Sequence, residues 1–257
     1  MAKKRSIKTK KKKSSKTPIL ILLTAAAFLV AFFVYIQYSQ VENSEPTPIA
    51  EDEPIDIDIP DGYTSFGIDV SHHQGRIPWK ALLRNKSLDS IIQFVYCKVT
   101  EGVGHVDRQW AHNHSTLKQL NKPHGGYHFF SIKTDPLLQA EHFLTHCEVD
   151  ENSLPPVLDV ETEGLSNAQL IRRMTIWLNE VERICGVRPI IYTSAHFFTS
   201  KFVHHFPKHQ FWIASYSREP NCINDSRIIH WQYTETGKVP GFETPIDLNV
   251  SKQTFTP

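Results

Sequence analysis

Pro155-Pro156-Val157-Leu158-Asp159-Val160-Glu161 reads as a buried strand that delivers two carboxylates to one place. Side chains alternate along a strand, so Asp159 and Glu161 share a face, about 6.5–7 Å apart at Cα. An apolar run precedes them and a turn-like Thr162-Glu163-Gly164 follows, which puts both acids near the strand's C-terminal end. Parallel α/β barrels and open α/β sheets build active sites there. Two acids so close cannot both ionise cheaply, so one pKa rises and its owner can serve as a general acid at neutral pH. Paired carboxylates are the working parts of glycosidic bond cleavage. Asp-x-Glu is also a common tripeptide at solvated strand ends, so the rest of the chain has to decide.

Strand-like and helix-like runs alternate outward from this stretch. Residues 65–70, 91–99, 125–130, 157–160, 188–193, 211–215, 228–233 and 246–250 read as strands. Between them, 79–88, 107–121 and 135–147 carry helical spacing. The clearest helix spans 166–185: Ser166 caps it, Gln169 completes a capping box, and Gly186 stops it. Leu170, Met174, Trp177, Leu178, Val181 and Ile184 form its apolar stripe. This alternation predicts a parallel α/β barrel-like domain. The last third is rich in strands and poor in helices, so a regular eightfold barrel is not expected.

The chain has 257 residues, with 28 Lys and Arg against 27 Asp and Glu. Nine of the basic residues lie in 1–17, which hold no acid. Residues 18–38 follow as an apolar segment long enough for a single transmembrane helix. The basic flank predicts a cytoplasmic N-terminus and a signal anchor in the cytoplasmic (inner) membrane, with the catalytic part periplasmic or extracellular. A cleaved signal peptide is the rival reading; the apolar run is long for that, and no clear cleavage site follows. Residues 39–61 are rich in Pro, Glu and Asp and read as an extended linker that does not pack. Residues 62–257 then form one catalytic domain, expected to be monomeric. Without the tail the chain is acidic, which argues against a nucleic-acid partner.

Four cysteines, Cys97, Cys147, Cys185 and Cys222, allow two disulfides with three connectivities, and Cys97 equally suits a buried free thiol. Their spacing fits no metal motif. Fourteen histidines raise the question of a metal. His72 and His73 are adjacent and, on an extended exit, would point apart, and no H-E-x-x-H helix is present. The expectation is therefore no metal and no cofactor.

In a barrel of this kind, polar residues at strand C-termini are the site candidates. They are Asp69 on the first strand, Lys98 and Glu101 on the second, Tyr127 and His128 on the third, and Asp159 and Glu161 on the fourth. Tyr192, Trp212, Tyr216, Trp231, Gln232, Asp247 and Asn249 come from the later strands. Aromatic faces beside carboxylates and amides suit a sugar.

The same residues carry a resemblance. Gly67-Ile68-Asp69-Val70-Ser71-His72-His73-Gln74-Gly75, Phe94 to Gly102, Gly126-Tyr127-His128-Phe129-Phe130 and Pro156 to Glu161 resemble the motifs of glycoside hydrolase family 25, the Chalaropsis-type lysozymes. Pro189 to Thr193, Trp212 to Tyr216, Trp231 to Thr234 and Ile246 to Asn249 continue the match in the family's order. The resemblance implies an irregular, flattened (β/α) barrel. It also implies hydrolysis of the β-1,4 bond between N-acetylmuramic acid and N-acetylglucosamine in peptidoglycan. It makes Glu161 the general acid and Asp69, Asp159 and Asp247 the other acids of the cleft. Lys98, Glu101, Tyr127, His128, Tyr192, Trp212, Tyr216, Trp231, Gln232 and Asn249 become candidates for glycan binding. Two departures stand out: Cys97 replaces an aliphatic residue, and Pro123-His124-Gly125 replaces a small-residue turn. Two other readings are a silent glycan-binding module and the same chemistry on a different N-acetylhexosamine polymer. The four acids count against the first.

Overall fold

Strand alternation decides which side chains enter the barrel and which face the surrounding helices. The computed structural model describes Phe32, Ile55 and residues 57–150, 153–216 and 218–255. The elements below lie in the compact unit Pro46–Pro257. The strands are β1 (Ser65–Val70), β2 (Ile92–Glu101), β3 (His105–Val106), β4 (His124–Phe129), β5 (Val157–Asp159), β6 (Ile190–Ser194), β7 (Phe211–Ala214), β8 (Ile228–Gly237) and β9 (Ile246–Ser251). Hydrogen bonding runs β1-β9-β8-β7-β6-β5-β4-β2-β3, and β1 also pairs with β2. That extra pairing closes an eight-stranded barrel, with β3 a short antiparallel flap on β2.

Neighbours from β1 through β2 and β4 to β8 are parallel. The closing strand β9 is antiparallel to both β8 and β1. The barrel is therefore mixed and not wholly parallel as expected, because β9 returns from β8 without a crossover helix; the doubt about a regular eightfold barrel agrees with this. Among the described residues, no helix separates β7 from β8 or β8 from β9.

The helices are α1 (Trp79–Leu82), α2 (Lys86–Ile91), α3 (Trp110–Gln119), α4 (Pro136–His146), α5 (Asn167–Cys185) and the short α6 (Ala195–Phe197), which runs into one π-turn. The single helix expected at 79–88 is two. Asn85 starts the second by accepting a hydrogen bond from the Leu88 N–H at 2.9 Å, so the chain turns where the spacing looked continuous. Helix α5 forms as expected, with the Ser166–Gln169 capping box and Gly186 in the left-handed conformation. It buries Leu170, Met174, Trp177, Leu178 and Val181, while Ile184 stays exposed.

Two apolar layers result. Phe94, Tyr96, Val157, Ile190, Tyr192 and Trp212 pack inside the barrel. Their outward neighbours Val95, Cys97, Leu158, Ile191 and Ile213 join the helices in the larger core. The interior is crowded: a Cβ on Gly67 would come within 2.5 Å of the Phe94 ring, and one on Gly125 within 2.6 Å of Tyr96. Only glycine at these positions leaves room for the inward rings.

One expectation needs adjustment, one open question is answered, and one expectation lies outside the described residues. The end of the acidic linker packs: Ile55 and Ile57 are half-buried against the core, and Tyr233 Oη donates to the Asp58 carbonyl at 2.8 Å. Its isoleucines find the barrel wall even though the segment's charge argues for solvent. All four cysteines are free thiols; Cys97 and Cys147 are buried, and burial raises both pKa values. The expected anchor at 18–38 lies outside the described residues, Phe32 excepted; among the described residues no helix is long and apolar enough to cross a membrane.

Candidate active site

Inward-pointing polar residues collect at one end of the barrel around a cleft of about 250 Å³. Asp69, Asp159, Glu161 and Asp247 all line it, with Lys98, Tyr127, Tyr192, Trp212, Tyr216 and Gln232. Alternation explains the set. Asp69 on β1, Lys98 on β2, Tyr127 on β4, Asp159 on β5 and Tyr192 on β6 each occupy an inward phase near the strand's C-terminal end.

The acids form two pairs. Asp69 and Asp247 lie directly opposite each other in the β1–β9 register. Like charges in that position repel, and a shared proton removes the conflict. Burial and the Asp69 charge push Asp247 up to about 9, whereas Asp69 itself is raised to about 6. Burial raises Asp69 while hydrogen bonds from Asn249 and Gln232 oppose the shift. Asn249 Nδ2 and Gln232 Nε2 each donate to Asp69 Oδ2 at 2.8 Å. Both carboxyls are raised, Asp247 further than Asp69, so the pair favours sharing a proton.

The second pair is built differently. Asp159 is buried, and among the described residues its Oδ1 has no hydrogen-bond partner. Burial first and the Glu161 charge second raise its pKa well above the usual range. Glu161 reaches solvent through the cleft mouth, yet the walls crowd it. Burial raises its pKa, the nearby Tyr192 hydroxyl opposes this, and Glu235 raises it further. Lys98, which donates to Glu101 Oε2 at 2.7 Å, favours the charged form of both acids.

A polar frame holds the floor and one wall. The Tyr192 and Tyr216 hydroxyls donate to Gln232 Oε1 at 2.7 and 2.8 Å. Trp212 Nε1 donates to Asn249 Oδ1 at 2.8 Å. Gln232 and Asn249 thus receive from the aromatic groups and pass hydrogen bonds to Asp69.

Four candidates stand outside the cleft lining. His128 faces the helical layer, fully buried; its Nε2 contacts Gln139 Oε1 at 3.1 Å, its Nδ1 contacts Thr100 Oγ1 at 2.8 Å, and its ring stacks on Trp177. Burial lowers its pKa to about 4, so it is a neutral structural histidine. It follows the inward Tyr127, and alternation turns it away from any substrate. Trp231 likewise faces outward, packing on Tyr63 and donating to the Ser215 carbonyl at 2.9 Å. Asn249 is wholly buried behind Asp69 and Trp212. Glu101 stands at the edge, occupied by Lys98.

Three lining residues, Phe129, Val157 and Glu235, are additions. Plain alternation from Gln232 would turn Glu235 outward. Register shifts between Gln232 and Thr234, and again between Thr234 and Gly237, re-aim it into the cleft.

The sequence profile described as "Glycosyl hydrolases family 25" matches residues 68–242. The chain belongs to glycosyl hydrolase family 25. It is 36% identical over 197 residues to the uncharacterized protein YegX of Escherichia coli (strain K12), covering 76% of this chain and 72% of that protein. It is 30% identical over 203 residues to Lysozyme M1 of Streptomyces globisporus, covering 71% and 66%. Among solved structures, a family 25 glycosyl hydrolase from Bacillus anthracis superposes with a TM-score of 0.70 at 27% identity, covering 79% of this chain and 95% of that one. This family 25 chain is accordingly a glycoside hydrolase of the lysozyme type.

Proposed function

We propose that this hydrolase is a muramidase that cleaves the β-1,4 bond between N-acetylmuramic acid and N-acetylglucosamine in peptidoglycan. Glu161 is the general acid, and Asp159 assists the substrate's own acetamido group. The observation that carries this reading is the buried, unpartnered Asp159 Oδ1 beside a carboxyl whose pKa is raised.

Burial favours the neutral form of Asp159. An acetamido N–H placed against Oδ1 supplies a hydrogen bond that favours the carboxylate. The proton shared by the two acids then resides on Glu161. Glu161 protonates the leaving glycosidic oxygen as the C1–O bond breaks, and the acetamido carbonyl oxygen bonds to C1. Water then opens this ring at C1 and gives its proton to the Glu161 carboxylate, which restores the acid. Trp212, Tyr127 and Tyr216 offer faces and hydroxyls to the sugars. In the alternative route, a carboxylate activates water directly and the configuration inverts.

The segment 18–38 anchors the enzyme in the cytoplasmic membrane, which places the catalytic domain on the wall side. The basic tail and the apolar run of the sequence support this part of the reading.

Digestion of purified peptidoglycan by the full-length protein, read by mass spectrometry after borohydride reduction, tests the activity. Products ending in reduced N-acetylmuramic acid are expected, and none from Glu161→Gln. Products ending in reduced N-acetylglucosamine would refute the bond assignment. Net retention at C1, followed by NMR, is expected for the acetamido route; inversion would refute it.

A further inference from the structure

The turn after β1 and the flap β3 bring together a group that the cleft does not use. Asp107 has a wholly buried side chain. Its Oδ2 accepts from the His72 backbone N–H at 2.9 Å and lies 2.7 Å from His72 Nδ1. Its Oδ1 accepts from the Gln109 N–H at 2.9 Å. Among the described residues, the His72 ring is the only Lys, Arg or His side chain within ion-pair distance of this carboxylate. The exposed His105 lies two residues before Asp107, and its ring meets the His72 ring edge-on at 5.8 Å. Ligand atoms of His72, His105 and Asp107 all fall within 4.8 Å of one another.

The local fold explains why they meet. His72 to Gln74 form a 3₁₀ turn, closed by a capping box between Ser71 and Gln74. The turn overrides the extended exit expected from the sequence, so the His72 and His73 rings meet at 4.1 Å, tilted by 34°, rather than point apart. On the other side, β3 pairs His105 with Glu101, and the Asp107 N–H donates to the Val99 carbonyl at 2.8 Å. His105 and Asp107 thus continue one extended segment and share a face, at the same spacing as Asp159 and Glu161.

We infer that His72, His105 and Asp107 form a binding site for one divalent transition metal of the zinc type, with a further coordination position open to solvent. Two imidazoles and one carboxylate suit zinc and its neighbours, whereas calcium and magnesium prefer all-oxygen shells. At metal–ligand distances of about 2.1 Å, two ligands of one ion can be no more than about 4.2 Å apart. Closing the site therefore needs a small inward rotation, and His105, exposed on a two-residue strand, is free to make it. A bound ion would neutralise the buried Asp107 carboxylate and fasten the turn that follows Asp69 to the flap beside Glu101.

The test is calorimetric titration of chelator-stripped full-length protein with zinc, with cobalt as the spectroscopic stand-in. One equivalent is expected, with tetrahedral cobalt absorption. Affinity should fall at least about tenfold in His105→Gln and His72→Gln. Zinc should raise the melting temperature of the wild type and not that of His105→Gln. Because His105 is exposed, that variant should fold without metal as the wild type does. His146→Gln removes one member of the nearby His142–His146 pair, whose rings lie 4.8 Å apart, and should bind zinc normally. Absence of saturable one-to-one binding would overturn the site. So would unchanged affinity in His105→Gln, or loss of binding in His146→Gln alone.

Discussion

Two pairs of acids share one cleft and are held in opposite ways. Asp69 and Asp247 face each other across two strands, and Asp69 receives hydrogen bonds from Gln232 and Asn249. Asp159 and Glu161 follow each other at the end of a single strand, and Asp159 leaves one buried oxygen without a partner. The first pair resolves its repulsion within the protein. The second keeps an unmet hydrogen-bonding need that a substrate can meet, which is where a fold stores strain for function.

The sharpest way to break this contrast is to remove each acid's function at unchanged shape. Glu161→Gln should lower peptidoglycan turnover by about 10³-fold with glycan binding retained; comparable turnover would move the general acid elsewhere. Asp159→Asn should lower turnover by about 10²-fold and yet raise the melting temperature by a few degrees, because a poorly satisfied buried acid is removed. Asp69→Asn should do the reverse to stability. Its amide oxygen can still accept from Gln232 and Asn249 but carries no charge, and the weakened bonds should cost about 1 kcal/mol in urea unfolding. If both variants shift stability in the same direction, the contrast fails.

Asp247 gives a pH test. Its pKa is raised from 3.8 to about 9. Between those values the native state holds a proton that the unfolded chain has lost, so this group's contribution to stability declines as pH rises through that window. Asp247→Asn should flatten the fall of melting temperature with pH. The smallest effect is expected from Glu235→Gln. It removes a negative charge that raises the Glu161 pKa, so the alkaline limb of kcat/KM should move to lower pH by a fraction of a unit. An upward shift would show that Glu235 acts by another route.

The acids were legible because alternation and a strand's C-terminal end are local properties, and β5 obeys both. Helix α5 was legible because its caps and stripe are written within twenty consecutive residues. His128 and Trp231 were misplaced for the same local reason: each stands beside an inward residue and takes the outward phase. Glu235 was hidden by two register shifts, which no residue type in its neighbourhood announces. The grouping of His72 with Asp107 spans 35 positions and depends on a turn that sequence spacing treats as strand.

One consequence of the closing strand concerns time. Asp69 is synthesised early, but its partners Asp247 and Asn249 are made some 180 positions later. Until β9 slots between β1 and β8, the barrel has an open seam and Asp69 lacks two of its partners. Such long-range closure comes late in assembly. A nascent or C-terminally clipped chain should therefore carry Asp159 and Glu161 without the opposite wall of their cleft, so the order of synthesis itself withholds the finished enzyme until the last strand arrives.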